Sequence, residues 1–554
     1  MTQSPAPFTD RPLLSGLHPL GIVLGALAFL AALSPSLIPR TGLLQGVVAG
    51  LAFAALYGAG VLLGVLWTWL ELPAPGKQHH GIISRVAMVL AALIILYGLS
   101  SATDWQNAIH EVMKMPPVES ARPFTIAGVS LAVMVIILFF SRLFRRATII
   151  VAARMGRLVP QRIAYLGGFV TACLVFWMIG NGVLVNGAFR VLDGMYRRVD
   201  ALIPPDFNAP ADPFKTGSPA SLVSWESLGA QGRERVATVP AQADIADITG
   251  QAANEPLRVY VGLNSGEDPQ QRAELALAEM IRIGAFERAA VVIATPTGTG
   301  WVDPSGMAPV EILLRGDVAS VSVQYSYLPS WLALLVNPEY GAETAQAVFR
   351  SVYGHWRNLP RDTRPKLYLF GLSLGSLNSD ISADFFDIVG DPYNGALWVG
   401  PPFASRTWND VTAQRDKSSP AWLPRFRDGS LFRFTSQVNA LNLQGSGWGP
   451  VRMVYLQYAS DPITFFETAS LWRRPAWMIE PRGPDVSPRL AWVPVVTFLQ
   501  LLCDMMTATT TPRGVGHVYA GKHYLDGWAA VTESENWTEA DLERVRTWLA
   551  KHDL

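Results

Sequence analysis

Five long apolar stretches fill the first third of the chain: Leu17 to Leu33, Leu43 to Leu70, Ile82 to Leu99, Phe124 to Phe140 and Ile163 to Val185. A helix needs about 20 apolar residues to cross a bilayer, where no water is present to bond a free backbone group. Five such runs in succession are not what a water-facing core offers. They predict an all-helical transmembrane domain of about five helices over residues 1–199. Glycines recur in them (Gly50, Gly58, Gly60, Gly64, Gly167, Gly168, Gly180, Gly182), and small residues let membrane helices approach closely. A cleaved leader is not predicted, because Pro35, Ile38, Pro39 and Arg40 follow the first stretch instead of a small-residue cleavage site. Composition agrees: 50% of the 554 residues are apolar and only 16% are charged, against about 25% in soluble domains.

Lys and Arg set the expected orientation. Arg142, Arg145, Arg146, Arg154 and Arg157 lie between the fourth and fifth stretches, which makes that side cytoplasmic by the positive-inside rule. Arg11, Lys77 and Arg85 fall on the same side; Arg40, Lys114 and Arg122 fall outside. Everything after Val185 is then extracytoplasmic. The formal charge is zero, so no nucleic-acid footprint is visible. The two cysteines, Cys173 and Cys503, sit in apolar stretches far apart and read as buried hydrophobes, not a disulfide. No CxxC or HExxH pattern exists, so no metal site is expected, and no cofactor.

Between residues 200 and 256 the composition shifts to Pro, Ala, Asp, Ser and Gln, as in "PPDFNAPADPF". This predicts a linker with little regular structure, although "SLVSWESLGAQGRERV" is richer and could dock on the next domain. From Leu257 to residue 554 strand and helix patterns alternate. "LRVYVGLNS", "AAVVIATPTGTG", "VASVSVQYSYL", "KLYLF", "GALWVGPP" and "VRMVYLQYASDP" read as buried strands. "PQQRAELALAEMIRIG", "AETAQAVFRSVYGHWRNL" and "TEADLERVRTWLAKH" read as helices, the last with Thr538 and Asp541 placed as a capping-box variant. Continuous apolar strands separated by helices predict an α/β fold with a mostly parallel sheet covered on both faces.

The fourth of those strands runs into Gly371-Leu372-Ser373-Leu374-Gly375. A strand, a Gly-x-Ser-x-Gly turn and a helix form a nucleophile elbow, which holds a serine in a strained conformation above the sheet. The flanking glycines are expected because side chains there would collide with the neighbouring strand and helix. A serine hydroxyl is a weak nucleophile and needs a base, and the base needs an orienting acid. Chain order in this fold places the acid and then the histidine after the serine. His517, in the glycine-rich "PRGVGHVYAG", is the favoured base; His523 competes, and His552 near the C-terminus reads as solvated. Asp461, just past a buried strand in "YLQYASDPIT", is the favoured acid, ahead of Asp485 in a loop and Asp504 in an apolar helix. Acyl transfer also needs backbone donors for an oxyanion. Leu374 N–H is one, and Thr297 or Gly298, in "TPTGTGWVDPSG", is expected to give the other.

Taken together, "LRVYVGLNS", "ATPTGTGWVDP", "VQYSYLPSW", "RPKLYLFGLSLGS", "GALWVGPP", "YASDPI" and "GVGHVY" resemble a bacterial membrane-anchored α/β-hydrolase family, in which a multi-helix membrane domain precedes an α/β-hydrolase domain. The resemblance covers nearly the whole chain. It implies an α/β-hydrolase fold and a Ser373, Asp461, His517 triad, and adds little on substrate. Lid insertions are expected near residues 403–450 and 465–510. The second holds Trp472, Trp477, Trp492 and an apolar helix from Leu490 to Met506, and reads either as a lipid-interface element or as an ordinary lid. The function expected is a serine hydrolase of carboxylic esters, lipophilic ones above all, with the bilayer as partner. Acyl transfer by the same triad is the first alternative. A non-enzymatic transporter or scaffold with a vestigial hydrolase domain is the second.

Overall fold

The computed structural model describes residues 17–73, 77–185, 194–195, 200, 208–330, 332–333, 341–443, 445–479, 481–534 and 536–554. Arg11 and residues 201–207 of the expected linker lie outside the described residues. The chain divides into two compact units. One comprises Met1–Phe189, Thr468–Arg474 and Ser487–Asp504; the other comprises Arg190–Glu467, Pro475–Val486 and Met505–Leu554.

The first unit is helical: Pro19–Leu33, Gly42–Trp69, Lys77–Val112, Pro123–Met155 and Gln161–Trp177. Four of these regions are long and apolar enough to span a membrane. Pro19–Leu33, with 15 residues, is shorter, because Pro35 and Pro39 end the first apolar run early. The small-residue argument holds at Gly50, Gly60 and Gly168, where a Cβ would lie 2.8 Å from Ser130 O, 2.6 Å from Gly21 Cα and 2.5 Å from Thr148 O, and not at Gly58, Gly180 and Gly182, which have no neighbour within 4 Å among the described residues. Arg142, Arg145, Arg146 and Arg154 lie on the last turns of the helix Pro123–Met155, not in a loop; only Arg157 falls in the turn after it. Both cysteines are free; Cys173 is exposed and Cys503 buried.

The tryptophan-rich segment expected as a lid is divided between the units. Thr468–Arg474 and Ser487–Asp504 belong to the helical one. On the helix Val496–Met506, Val496 and Cys503 join a core with Ile22, Ala26, Phe29 and Val48. Asp504 explains why. Its carboxylate takes Arg40 Nε at 2.7 Å, the Ser36 hydroxyl and the Leu37 N–H, all from the proline-broken loop after Leu33. Gln45 and Gln106 also bond Arg40. A helix break inside an apolar unit strands polar groups, and they must find partners there. Asp504 is therefore a structural anion and not a candidate triad member.

The second unit is built on seven parallel strands: β1 (Leu257–Val261), β2 (Ala290–Thr295), β3 (Val318–Val323), β4 (Lys366–Leu372), β5 (Gly395–Val399), β6 (Phe432–Thr435) and β7 (Arg452–Leu456). Their order in the sheet is β1-β3-β2-β4-β5-β7-β6. Helices Pro304–Leu313 and Gly521–Val531 pack together over one face, with Trp528 against Phe370 and Tyr368. Helices Pro269–Arg282 and Ala342–Arg357 pair over the other. Double burial explains why the strands read as unbroken apolar runs.

β6 falls inside the first expected lid and has no apolar signature, because buried Arg433 interrupts it. That guanidinium is satisfied by the carbonyls of Gly429, Leu441 and Ser446. The expected linker is also ordered over its described residues. Helices Gly229–Ala237 and Gln242–Thr249 pack on the sheet unit, where Ile245 and Ile248 enter the core. Arg235 and Arg258 both pair with buried Glu311, at 2.9 and 2.7 Å.

Candidate active site

β4 delivers Ser373 to the carboxyl edge of the sheet. Its backbone turns to φ 56° and ψ −128° before the helix Leu374–Asp380 begins. A side-chain-bearing residue in such a conformation costs about 1–3 kcal/mol and must be held by its surroundings. The Ser373 N–H donates to Val399 O at 2.9 Å, at the end of β5. The flanking glycines are steric requirements. A Cβ on Gly371 would sit 2.3 Å from the Gly375 carbonyl carbon, and one on Gly375 would sit 2.3 Å from Thr295 O at the end of β2.

Asp461 follows β7 and caps the turn Pro462–Phe465. Its side chain is fully buried and fully used. Oδ1 accepts from Ile463 N–H at 2.8 Å. Oδ2 accepts from His517 Nδ1 at 2.7 Å, Tyr519 Oη at 2.7 Å and Thr464 Oγ1 at 3.1 Å. With Nδ1 turned to a carboxylate, the remaining imidazole nitrogen is free to act as a base. Nε2 of His517 is buried and has no hydrogen-bond partner among the described residues. His517 and Ser373 line the same cavity of about 770 Å³. The loop carrying His517 is tied down by His517 N–H to Ala508 O and by Gly516 N–H to Ser460 Oγ, at 3.1 and 2.8 Å.

The other candidates separate clearly. His523 is buried on the helix Gly521–Val531, its Nδ1 bonded to the Tyr458 hydroxyl, and burial pushes its pKa down to about 4. His552 is exposed and bonds the Trp548 carbonyl. Asp485 stands behind the site: its Oδ2 takes the hydroxyl and N–H of Ser460, the residue before Asp461, and burial raises its pKa. Leu374 opens the helix after the nucleophile, where first-turn N–H groups lack helical partners. The expected second donor is altered. Thr297 N–H donates to Trp301 O at 2.9 Å, and Gly298 N–H donates to Ser330 Oγ at 3.0 Å, because the loop folds back on itself. Thr297 still lines the cavity, so its hydroxyl is the donor left to it.

Two residues were missed in the sequence. Gly400 follows β5 with φ 51°; a Cβ there would lie 2.7 Å from His517 Cε1 and 3.1 Å from Asp461 Oδ2. Tyr519 shares the acid with His517. The signals were a glycine at a strand end and a tyrosine two positions after the histidine, neither of them distinctive alone. Apolar groups make much of the cavity wall, including Trp301, Leu372, Ile463, Met505, Met506 and Val518. Among the described residues, no group of three or more His, Cys, Asp or Glu side chains could hold a metal ion.

Residues 257–545 match a family described as "Alpha/beta-hydrolase family", and residues 33–240 match the description "Alpha/beta-hydrolase family N-terminus". No curated protein and no solved structure matches the chain.

Proposed function

The chain belongs to this α/β-hydrolase family, and from that membership we propose that it is a membrane-bound serine hydrolase of carboxylic esters with Ser373, His517 and Asp461 as its triad. The observation that carries the reading is the unpartnered, buried Nε2 of His517, backed by Asp461 and opening on the cavity that holds Ser373. Ser373 Oγ attacks the ester carbonyl as its proton passes to His517 Nε2. Asp461 stabilises the imidazolium through Nδ1–H. The tetrahedral oxyanion is held by Leu374 N–H and the Thr297 hydroxyl. Collapse expels the alcohol, which takes the proton back from Nε2, and leaves an acyl group on Oγ. Water, deprotonated by His517, then repeats the cycle and releases the acid.

The apolar wall supports an acyl ester of lipid character as substrate. Each buried methylene contributes about 0.8 kcal/mol, enough to separate chain lengths clearly. Four membrane-length helices make membrane association the natural setting. The arginines at the end of Pro123–Met155 favour a cytoplasmic turn before Gln161. One further crossing then carries the sheet unit to the extracytoplasmic side, whether or not Pro19–Leu33 crosses.

The test is fluorophosphonate labelling and ester turnover by the purified full chain against Ser373→Ala, over esters from acetate to long-chain acyl. Labelling and turnover are expected to vanish in the variant, and the parent to favour the longer chains. Equal labelling of both proteins overturns the triad; preference for acetate overturns the lipid substrate.

A further inference from the structure

Tyr519 forms the least expected contact in the site. Its hydroxyl and His517 Nδ1 meet the same oxygen of Asp461, each at 2.7 Å. Tyr519 is buried, and its ring is fixed on three sides. It stacks on Tyr458 at 4.3 Å, stands edge-on to Tyr524 at 6.3 Å and edge-on to His517 at 5.8 Å. Gly400 closes the fourth side, since a Cβ there would be 2.9 Å from the Tyr519 ring. The hydroxyl therefore has one place to point. Burial and the neighbouring carboxylate raise its pKa well above the usual phenol value, so it stays protonated and donates.

Resting on the hydrolase reading, we propose that Tyr519 is a positioning residue that sets the basicity of His517. By donating to Oδ2 it draws off part of the carboxylate charge that would otherwise stabilise the imidazolium. It also fixes which Oδ2 lone pair faces Nδ1, so the ring cannot swing away from Ser373. The other titratable groups near the pair do not take this role. Tyr458 is bonded to His523 and to Ala520 N–H, and Tyr524 is bonded to Asp303. Asp485 reaches the site only through Ser460. Arg513, four residues before His517, bonds Ser305, and Glu234 lies elsewhere on the cavity wall. Ser373 and Gly400, at the ends of β4 and β5, bring no further titratable side chain to the pair.

The experiment is Tyr519→Phe in the full chain, which keeps the ring and its packing. The rate of fluorophosphonate labelling is followed from pH 5 to 9, beside the parent and Ser373→Ala. Losing the donor should move the acid limb of the profile upward by about half to one pH unit. Labelling below the limb should fall several-fold while the alkaline plateau changes little. A uniform drop with an unmoved limb would assign Tyr519 a structural role only and overturn the proposal. So would a superimposable profile. Thermal unfolding of the variant identifies misfolding, and if Tyr519→Phe does not fold, Thr464→Val, which removes another donor from the same oxygen, must shift the limb in the same direction or the charge-sharing argument fails. A parent that does not label at Ser373 refutes the hydrolase reading itself, a result distinct from these.

Discussion

Gly400→Ala is the smallest change that tests the site geometry. The position has φ 51°, a left-handed conformation in which alanine is strained by about 1–2 kcal/mol. The new methyl would also sit 2.7 Å from His517 Cε1, where ordinary contact begins at 3.4 Å. Relief requires a displacement of about 0.7 Å by the imidazole, by β5 or by both, and misplacing a reacting group by about 1 Å can cost about 100-fold in rate. The methyl would also approach Asp461 Oδ2 at 3.1 Å and the Tyr519 ring at 2.9 Å, so the imidazole cannot retreat toward Asp461. The expected outcome is a loss of about 10- to 100-fold in kcat/KM with a destabilisation of only about 1–2 kcal/mol. Ester turnover, fluorophosphonate labelling rate and thermal unfolding, measured on the same preparation, separate the two effects. Parent-like labelling with parent-like unfolding would refute the claim that this glycine makes room for the His517–Asp461 pair.

Two further substitutions probe buried charge. Asp504→Ala leaves Arg40 buried without its anion and should destabilise the helical unit by about 3–5 kcal/mol, whereas Arg40→Met with Asp504→Leu should recover much of it; unfolding in detergent reads both, and a neutral Asp504→Ala would contradict the network. Asp380 is pushed up to about 6 by burial, so the folded state holds its proton more tightly than the unfolded chain. Its stabilising proton is fully bound below about pH 4 and lost as pH rises through 6. Asp380→Asn should therefore raise stability at pH 8 by at most about 3 kcal/mol and leave it unchanged below pH 4; unfolding midpoints that track the parent at both pH values would refute this.

The legibility of the chain follows burial. β1 to β5 and β7 read directly from sequence because both faces of each are covered, which leaves an unbroken apolar run. β6 did not, because Arg433 is hydrogen-bonded to three carbonyls that no local pattern announces. The elbow was legible because its glycines answer steric contacts within one turn of chain and one neighbouring strand. The Asp461–His517 contact was legible only through chain order, the two lying 56 positions apart. Less legible was how loops spend their hydrogen bonds, whether on near or distant partners. Thr297 and Gly298 spend their N–H groups on Trp301 and Ser330. Helices Gly229–Ala237 and Gln242–Thr249 lie in a stretch whose composition resembles a linker, but Arg235 has Glu311 as a buried counter-charge and Ile245 a place in the core.

The placement of Ser487–Asp504 changes how the whole chain should be understood. An apolar helix between an acid and a base of one site was expected to cover that site. A covering helix needs one apolar face and a polar back, whereas this one carries a buried carboxylate. Burying Asp504 is tolerable only beside a fixed cation, and within the helical unit Arg40 is that cation. Gln500 adds a second anchor, its amide donating to the carbonyls of Ala32 and Ser34 where the first helix ends. The chain thus leaves the sheet unit after Asp461, contributes residues to the helical unit, and returns to the sheet unit before His517. A membrane anchor appended to a finished hydrolase would leave the hydrolase sequence uninterrupted. Here Asp461 and His517 are joined through a stretch in which Asp504 bonds Arg40, Ser36 and Leu37 and Gln500 bonds the end of the first helix, so a sheet unit cut free of those helices would leave Asp504 without its Arg40 counter-charge in the stretch of chain that leads to His517.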